Sequence, residues 1–144
     1  MEKQAMNLIN LYNEKGEKHG YWEYYWSNGQ LDCKGSYLNG ERNGYWEGYF
    51  YNGQLYFKGS YLNGEQHGYW ESYYDNGQLS LKGSYLNGKQ HGDWESYYSN
   101  GQLYFKGSFL NGEEVKEITE LTLEDIAEKF KIPIGQLKIK KWKK

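Results

Sequence analysis

Histidine, glutamate and cysteine are the side chains of this sequence whose types and spacing could support chemistry. His19, His67 and His91 recur at one position of a 24-residue period, and Asn43 takes the remaining place. Imidazole is a common metal ligand, but a metal site needs three or four ligands that converge on one point. Because the repeat distributes these histidines along the chain, the spacing argues against a metal site and predicts no cofactor.

Four glutamates could form an acid–base set, but each is predicted to lie opposite a lysine. The pairs are Glu23 with Lys34, Glu47 with Lys58, Glu71 with Lys82, and Glu95 with Lys106. A solvated ladder of ion pairs is the simpler interpretation. Cys33 stands where the other copies have Phe57, Leu81 and Phe105, which indicates a small core residue. With no phosphate loop, nucleophile elbow or zinc spacing, the sequence predicts that the protein is not an enzyme.

The element that must position all these side chains is the repeat itself. Four copies follow one another without insertion or deletion, and in each copy one tryptophan and four glycines keep their register; the tryptophans are Trp22, Trp46, Trp70 and Trp94. A fixed period in this range indicates an array built by stacking one supersecondary unit. Arrays of this kind present a long surface, which favours binding over catalysis.

Composition narrows the class of protein further. Aromatic residues make up 19% of the 144 residues, with 17 Tyr and 6 Trp, so the core must be aromatic rather than aliphatic. A net charge of −2 argues against a generic nucleic-acid binder. The single cysteine excludes an intrachain disulfide and is typical of a reducing compartment. With no apolar run of membrane-spanning or signal-peptide length, we expect a cytoplasmic protein.

Asn-Gly between two aromatic-rich runs predicts a β-hairpin in each repeat. In the third copy, a two-residue type I′ turn at Asn76-Gly77 sets the register. The resulting opposite pairs are Tyr74 with Leu79, Glu71 with Lys82, and Trp70 with Gly83. Every tryptophan then covers a strand glycine, as Trp22 covers Gly35.

A second Asn-Gly, at 39–40, 63–64, 87–88 and 111–112, joins each hairpin to the next. A two-residue turn there would place Lys34 beside Tyr45 and Cys33 beside Trp46. The predicted fold is mainly β: an elongated antiparallel meander of hairpin repeats. Alternation divides the residues of each copy between two faces. In the third copy the packed face carries Trp70, Tyr74, Leu79, Leu81, Gly83 and Tyr85, and the solvated face carries Tyr69, Glu71, Tyr73, Ser80, Lys82 and Ser84.

The repeated motif resembles the MORN repeat (membrane occupation and recognition nexus). It reads here Asn63-Gly64-Glu65-Gln66-His67-Gly68-Tyr69-Trp70, followed by Asn76-Gly77-Gln78-Leu79. The variant it is most similar to is the bacterial one of antitoxin-like proteins, in which Trp replaces Gly. The resemblance covers about residues 11–112 and implies a groove-forming sheet that binds proteins or peptides. Lipid binding is ascribed to some members.

After Gly112 the period stops. Thr122 and Asp125 form a capping-box pattern, and apolar residues at helical spacing follow, which predicts a short helix that caps the sheet. The expected organisation is an N-terminal lead-in over 1–10, a MORN-type array over 11–112, and a C-terminal helical segment with a basic tail over 113–144.

The predicted partner-binding residues are two tyrosine columns, a break in one of them, and the basic tail. They are Tyr25, Tyr49, Tyr73, Tyr97, Tyr45, Tyr69, Asp93, Lys140, Lys141 and Trp142. Rigid amphipathic side chains of this kind are common at protein interfaces. A rival site is the opposite face, rimmed by Trp26, Tyr74 and Tyr98.

The leading hypothesis is a non-enzymatic module that sequesters a partner protein, such as an antitoxin-like protein or a phage or mobile-element inhibitor of a bacterial defence effector. No small-molecule substrate is expected. The alternatives are a self-assembling scaffold and a peripheral membrane binder that uses the basic C-terminus. Whether the protein is a monomer or an edge-paired homodimer stays open from sequence.

Overall fold

The computed structural model describes residues 8–116 and 122–136. Ten strands form one antiparallel sheet in which every strand pairs with its neighbours in sequence. The strands are β1 (Leu11–Tyr12), β2 (Lys18–Tyr25), β3 (Leu31–Leu38), β4 (Glu41–Tyr49), β5 (Leu55–Leu62), β6 (Glu65–Tyr73), β7 (Leu79–Leu86), β8 (Lys89–Tyr97), β9 (Leu103–Leu110) and β10 (Glu113–Val115). The predicted mainly β meander of hairpin repeats is therefore confirmed.

The core is a single file of aromatic rings on one face of the sheet, called here the tryptophan face. Trp22, Trp46, Trp70 and Trp94 are its buried apolar residues. Each indole meets the edge of a ring on either side, as Trp46 meets Tyr37 at 5.0 Å and Tyr61 at 6.2 Å between ring centroids. Edge-to-face pairs at such distances stabilise beyond the area they bury. The array is thus held by contacts between neighbouring repeats.

Three of the four indoles, those of Trp46, Trp70 and Trp94, each cover a glycine of the preceding hairpin, and this differs from the sequence prediction. Trp46 is the Cα partner of both Gly35 and Gly59, but its ring lies over Gly35. Trp70 covers Gly59 in the same way. The register of a single hairpin predicts instead that Trp22 covers Gly35, within one repeat. The stacking therefore ties each repeat to the one before it.

The loop of each hairpin is one residue longer than predicted. In the third repeat the amide of Tyr74 donates to the carbonyl of Gln78, and that of Gly77 donates to the carbonyl of Tyr74. Only Gly77 has positive φ, so this is a three-residue loop with a left-handed glycine and not a type I′ turn. Tyr73, rather than Tyr74, consequently lies opposite Leu79.

The asparagine of this loop stabilises it through hydrogen bonds of its side chain. The Oδ1 atom of Asn76 accepts from the amide of Gln78, which closes the turn. Its Nδ2 group donates to the carbonyl of Ser99 in the next repeat at 2.8 Å. Asn28 and Asn52 make the corresponding bonds to Tyr51 and Asp75. These asparagine hydrogen bonds therefore join each hairpin loop to the loop of the next repeat.

The turns between hairpins are the predicted two-residue type, since Asn39 and Gly40 both have positive φ. The predicted neighbours beyond this turn are wrong, however. A bulge at the level of Gly44 adds two residues to β4, so Lys34 lies opposite Glu47 and Cys33 opposite Gly48. A shift of two keeps every side chain on its face, because alternation has a period of two.

The C-terminal helix, α1 (Leu123–Phe130), forms as predicted. Thr122 and Asp125 make a complete capping box, and the helix ends at Lys131 in the left-handed conformation. A short 3₁₀ helix follows at Ile134–Gln136. No described residue of α1 is buried, so the covering of the sheet by this helix stays a prediction. In the described part of the chain no helix has the length and apolar character needed to cross a membrane.

Candidate protein-binding surface

The tyrosine face is the side of the sheet opposite the tryptophans. It contains the predicted columns together with the glutamates and lysines between them: Tyr25, Tyr45, Tyr49, Tyr69, Tyr73 and Tyr97. Strand alternation brings these residues to one side, as the sequence predicted. Tyr45 and Tyr69 are 54% and 55% exposed, so large parts of their rings face solvent.

One carboxylate organises each unit of this face. Glu47 accepts hydrogen bonds from the hydroxyls of Tyr49 at 2.6 Å and Tyr45 at 3.1 Å, and its salt bridge to Lys34 spans 3.0 Å. Tyrosine hydroxyls that are fixed in this way orient their rings before any partner arrives. The hydroxyls are therefore hydrogen-bonded within the protein. The faces of the tyrosine rings remain for contact with a partner.

The same unit recurs one repeat later around Glu71. It accepts from the hydroxyls of Tyr69 and Tyr73, and its salt bridge to Lys58 spans 2.6 Å. The Lys58 ammonium also lies 5.7 Å from the centre of the Tyr73 ring, in cation–π range. Repetition of the unit gives the face a regular pattern of rings and charges.

The ion pairs mostly join neighbouring hairpins, which corrects the predicted pairing. Glu47 and Glu71 bind the lysine of the preceding hairpin and not their predicted partners, Lys58 and Lys82. Glu95 binds both Lys82, at 2.7 Å, and its predicted partner Lys106, at 3.0 Å. The two-residue bulge explains the change, because it brings a lysine level with each of these carboxylates from both sides.

Glu95 has the strongest pKa shift of these carboxylates. Hydrogen bonds from Lys82, Tyr97 and Lys106 lower the pKa of Glu95 from 4.5 to about 2. For Glu47, burial works against ionisation, but the hydrogen bonds from Tyr49 and Lys34 outweigh it and lower the pKa. The network is therefore stable only while its carboxylates are ionised.

We expect Glu95→Gln to remove an acid-dependent part of the stability. The folded pKa of Glu95 lies below its unfolded value, so the ionised group stabilises the fold above about pH 4.5 and loses this effect as the pH falls towards about 2. The variant should be less stable than the wild type near neutral pH and equal to it near about pH 2. Urea unfolding midpoints across this range measure the difference.

Glu65→Gln is the matched control, because Glu65 is exposed and makes no salt bridge within the described residues. Its unfolding midpoint should follow that of the wild type at every pH. A gap between Glu95→Gln and wild type that is the same at low and neutral pH would contradict the assigned role of Glu95.

The column of Tyr45 and Tyr69 ends at Asp93, as the sequence showed. Asp93 accepts a hydrogen bond from the hydroxyl of Ser108 at 2.5 Å, across to β9. Tyr25 donates to Glu23 and keeps an exposed ring. The remaining predicted residues, Lys140, Lys141 and Trp142, lie outside the described part of the chain.

Sequence reasoning missed a cavity near the hairpin loops of the first two repeats, at Cys33, Arg42 and Gly48. Its volume is about 480 Å³. Both departures from the repeat, Cys33 and Gly48, were visible in the sequence. Their meeting was not, because only the bulged register places them opposite each other.

The histidines stay apart in the sheet. Within residues 8–116 and 122–136, no three His, Cys, Asp or Glu side chains come together in a way that could hold a metal ion. Cys33 is half-buried, and burial raises the pKa of its thiol. A thiol in this state is protonated and weakly nucleophilic at neutral pH.

These features define a class of protein: a hairpin-repeat array with an aromatic spine on one face and an ordered amphipathic surface on the other. The family model described as MORN repeat variant matches residues 18–39, 42–63, 66–87 and 90–111. The chain therefore belongs to the MORN repeat variant family. MORN repeats are generally non-enzymatic modules that bind proteins or membranes. A search of curated proteins found no match.

Proposed function

We propose that the protein is a cytoplasmic, non-enzymatic module that binds a partner protein through its tyrosine face and sequesters it. The observation that carries the proposal is the repeated carboxylate unit, in which Glu47 holds Tyr45 and Tyr49 in place. Binding immobilises side chains at a free-energy cost, and a surface whose rings are already fixed avoids much of that cost. Tyrosine is also among the residues that dominate binding energy at interfaces.

The narrower form of the proposal is an antitoxin-like protein, or a phage or mobile-element inhibitor of a bacterial defence effector. Its support is the tryptophan that stands at the glycine position of the repeat motif, as at Trp46 and Trp70. Sequestration makes a quantitative prediction. The activity of the captured partner should fall in proportion to added protein and reach its minimum at a fixed molar ratio.

The alternatives have separate tests. Self-assembly would require the edge strands of two copies to pair. In the described structure these strands are short, since β1 has two residues and β10 has three, so they offer few backbone hydrogen bonds to a second copy. Light scattering that shows a monomer at high concentration would exclude it. Sedimentation with anionic vesicles at low salt tests the membrane alternative, and the same experiment with neutral vesicles is its control.

We expect the double substitution Tyr45→Ala/Tyr69→Ala to weaken partner binding by about 30-fold or more, since loss of central aromatic anchors costs about 2 kcal/mol. Both rings are exposed, so the fold should survive. The partner is first captured from a lysate of the cells that encode the protein, and its affinity for the purified variants is then measured by calorimetry.

Tyr98→Ala/Tyr104→Ala is the matched control. Both residues are 54% exposed, and their rings pack on each other at 4.7 Å near the last hairpin loop. This variant should bind within about threefold of wild type. Equal affinity of the wild type and Tyr45→Ala/Tyr69→Ala would show that the tyrosine face is not the binding surface.

A further inference from the structure

The cavity of the first two repeats lies where the sequence departs from the repeat, at Cys33 and Gly48. Its wall is mostly apolar and includes Trp26, Cys33, Tyr49, Phe50 and Phe57. Tyr49 also belongs to the tyrosine face. By strand alternation Cys33 and Gly48 lie on the tryptophan face with Trp46, so the cavity opens on that side and reaches Tyr49 at the hairpin-loop end of the sheet.

Two small residues create this space. Cys33 lies opposite Gly48, whereas in the next repeat Phe57 lies opposite Ser72. The ring of Phe57 leans over Gly48, so closely that any side chain there would collide with it. No ring comes from position 33 itself, where the chain has a thiol.

The next repeat shows what kind of group fills such a place. There the Phe57 ring stacks on Trp70, with centroids 5.1 Å apart and planes 8° from parallel. Phe105 occupies the same position in the last repeat. The array thus has its own aromatic ring at position 57 and again at position 105, a leucine at position 81, and a small thiol at position 33.

Arg42 supplies a charge to the cavity wall. Its guanidinium lies 4.2 Å from the centre of the Trp46 ring and donates to the Tyr61 hydroxyl at 3.1 Å. No carboxylate of the described residues comes within 4.0 Å of it, Asp32 in the same wall included. The two following repeats have neutral Gln66 and Gln90 at this position. A half-buried guanidinium with donors to spare suits an anionic ligand.

We propose that this cavity receives an aromatic side chain from a segment of the partner protein that extends around the hairpin-loop end of the sheet, with a carboxylate of the same segment bound to Arg42. The inference rests on the proposed function and assigns the chemistry of the partner. A volume of about 480 Å³ is within the range of small-ligand pockets, so a single large ring fits. An aromatic anchor in a pocket is the usual form of a dominant interface contact.

The first test uses N-acetyl-L-tryptophan, which has both an aromatic ring and a carboxylate, as a probe. Titration into the 17.1 kDa protein should move the amide NMR signals of Gly48 and Phe57, with a Kd on the order of 1 mM. N-acetyl-L-tryptophanamide, which lacks the charge, should bind several-fold more weakly. Arg42→Gln should abolish this difference between the two probes.

The decisive variant is Cys33→Phe, which introduces the residue of the second and fourth repeats and fills the cavity from within. It should weaken binding of N-acetyl-L-tryptophan at least tenfold. Leu81→Phe makes the corresponding change in the third repeat and should leave the affinity unchanged. Retained dispersion of the amide spectrum shows that each variant is folded, and Arg42→Gln provides an independent readout if Cys33→Phe fails to fold.

Absence of any shift up to about 10 mM probe, or equal binding by Cys33→Phe, would overturn the cavity proposal. These results do not depend on the captured partner. With that partner in hand, unchanged affinity of Cys33→Phe alongside weakened binding by Tyr45→Ala/Tyr69→Ala would overturn the cavity proposal alone. Unchanged affinity of both variants would overturn the tyrosine-face proposal as well.

Discussion

Trp46→Ala is expected to lower the free energy of unfolding by about 3–5 kcal/mol, the usual cost of removing a large buried aromatic residue. The Trp46 side chain is 0% exposed and packs between the rings of Tyr37 and Tyr61. Its indole N–H also donates to the carbonyl of Ser36 at 3.0 Å. Guanidinium unfolding followed by far-UV circular dichroism measures the change.

The position of Trp46 in the array adds a second expectation. Each repeat is held mainly by its neighbours, so a break in the second repeat weakens the link between the first hairpin and the rest. The unfolding transition of Trp46→Ala should therefore broaden or split, because the array no longer unfolds as one unit.

Trp26→Ala is the control of the same residue type. Trp26 lies at a hairpin loop and is 37% exposed, and the centroid of its ring is 6.1 Å from that of Tyr51. Its removal should cost about 1 kcal/mol or less, with a single sharp transition. Similar losses for Trp26→Ala and Trp46→Ala would contradict the view that the indole file, and not aromatic content in general, stabilises the array.

The central register of each hairpin was predictable because several residue types agree on it. Glu71 opposite Lys82 and Trp70 opposite Gly83 both follow from one assumed turn, and the structure confirms both pairs. A register error of one residue would send every side chain to the wrong face. A wrong alignment of the strands would not place both the charged pair and the tryptophan–glycine pair opposite each other.

The bulges and loops could not be predicted in the same way. Gly44 is visible in the sequence as a repeated glycine. A glycine in a strand can indicate a bulge, but it does not determine how many extra residues the bulge contains. Asn-Gly likewise serves a type I′ turn at Asn39-Gly40 and a three-residue loop at Asn76-Gly77. The difference is set by bonds to the next repeat, such as Asn76 to Ser99, which the hairpin considered alone does not contain.

The candidate site shows the same division. Alternation was sufficient to gather the tyrosines, glutamates and lysines on one face. It was not sufficient to show which lysine binds Glu47, since the choice between Lys34 and Lys58 depends on the bulge. The binding role of these residues stays a prediction for the experiments above.

Gly83→Ala should be among the most damaging single-methyl substitutions in the array. A Cβ at Gly83 would lie closer than 3.0 Å to ring atoms of Trp94, an indole that is itself buried. The φ of Gly83 is outside the left-handed region, so alanine meets no backbone strain and the whole cost is steric. Overpacking of this kind costs about 1–3 kcal/mol, which guanidinium unfolding would detect.

Gly107→Ala is the same substitution at the same repeat position, without a tryptophan above it. Its Cβ would meet the tip of the Phe105 ring at 2.7 Å and a carboxylate oxygen of Glu114 at 3.3 Å, both ends of side chains that can turn away. Because alanine also restricts the unfolded chain more than glycine does, we expect a change within about 1 kcal/mol of zero. Equal costs at the two positions would show that the indole is not the obstacle.

A double-substitution cycle isolates the contact between the glycine and the ring. In a Trp94→Leu background the large ring above Gly83 is gone, so Gly83→Ala should cost at least about 1 kcal/mol less than it does in wild type. Additive costs would mean that the methyl group acts on the backbone and not on the indole. A non-additive result would show that Gly83 and Trp94 interact directly. The pairing of repeats would then depend on this contact, because only a glycine, which has no side chain, lets an indole of the next repeat lie flat on the preceding strand.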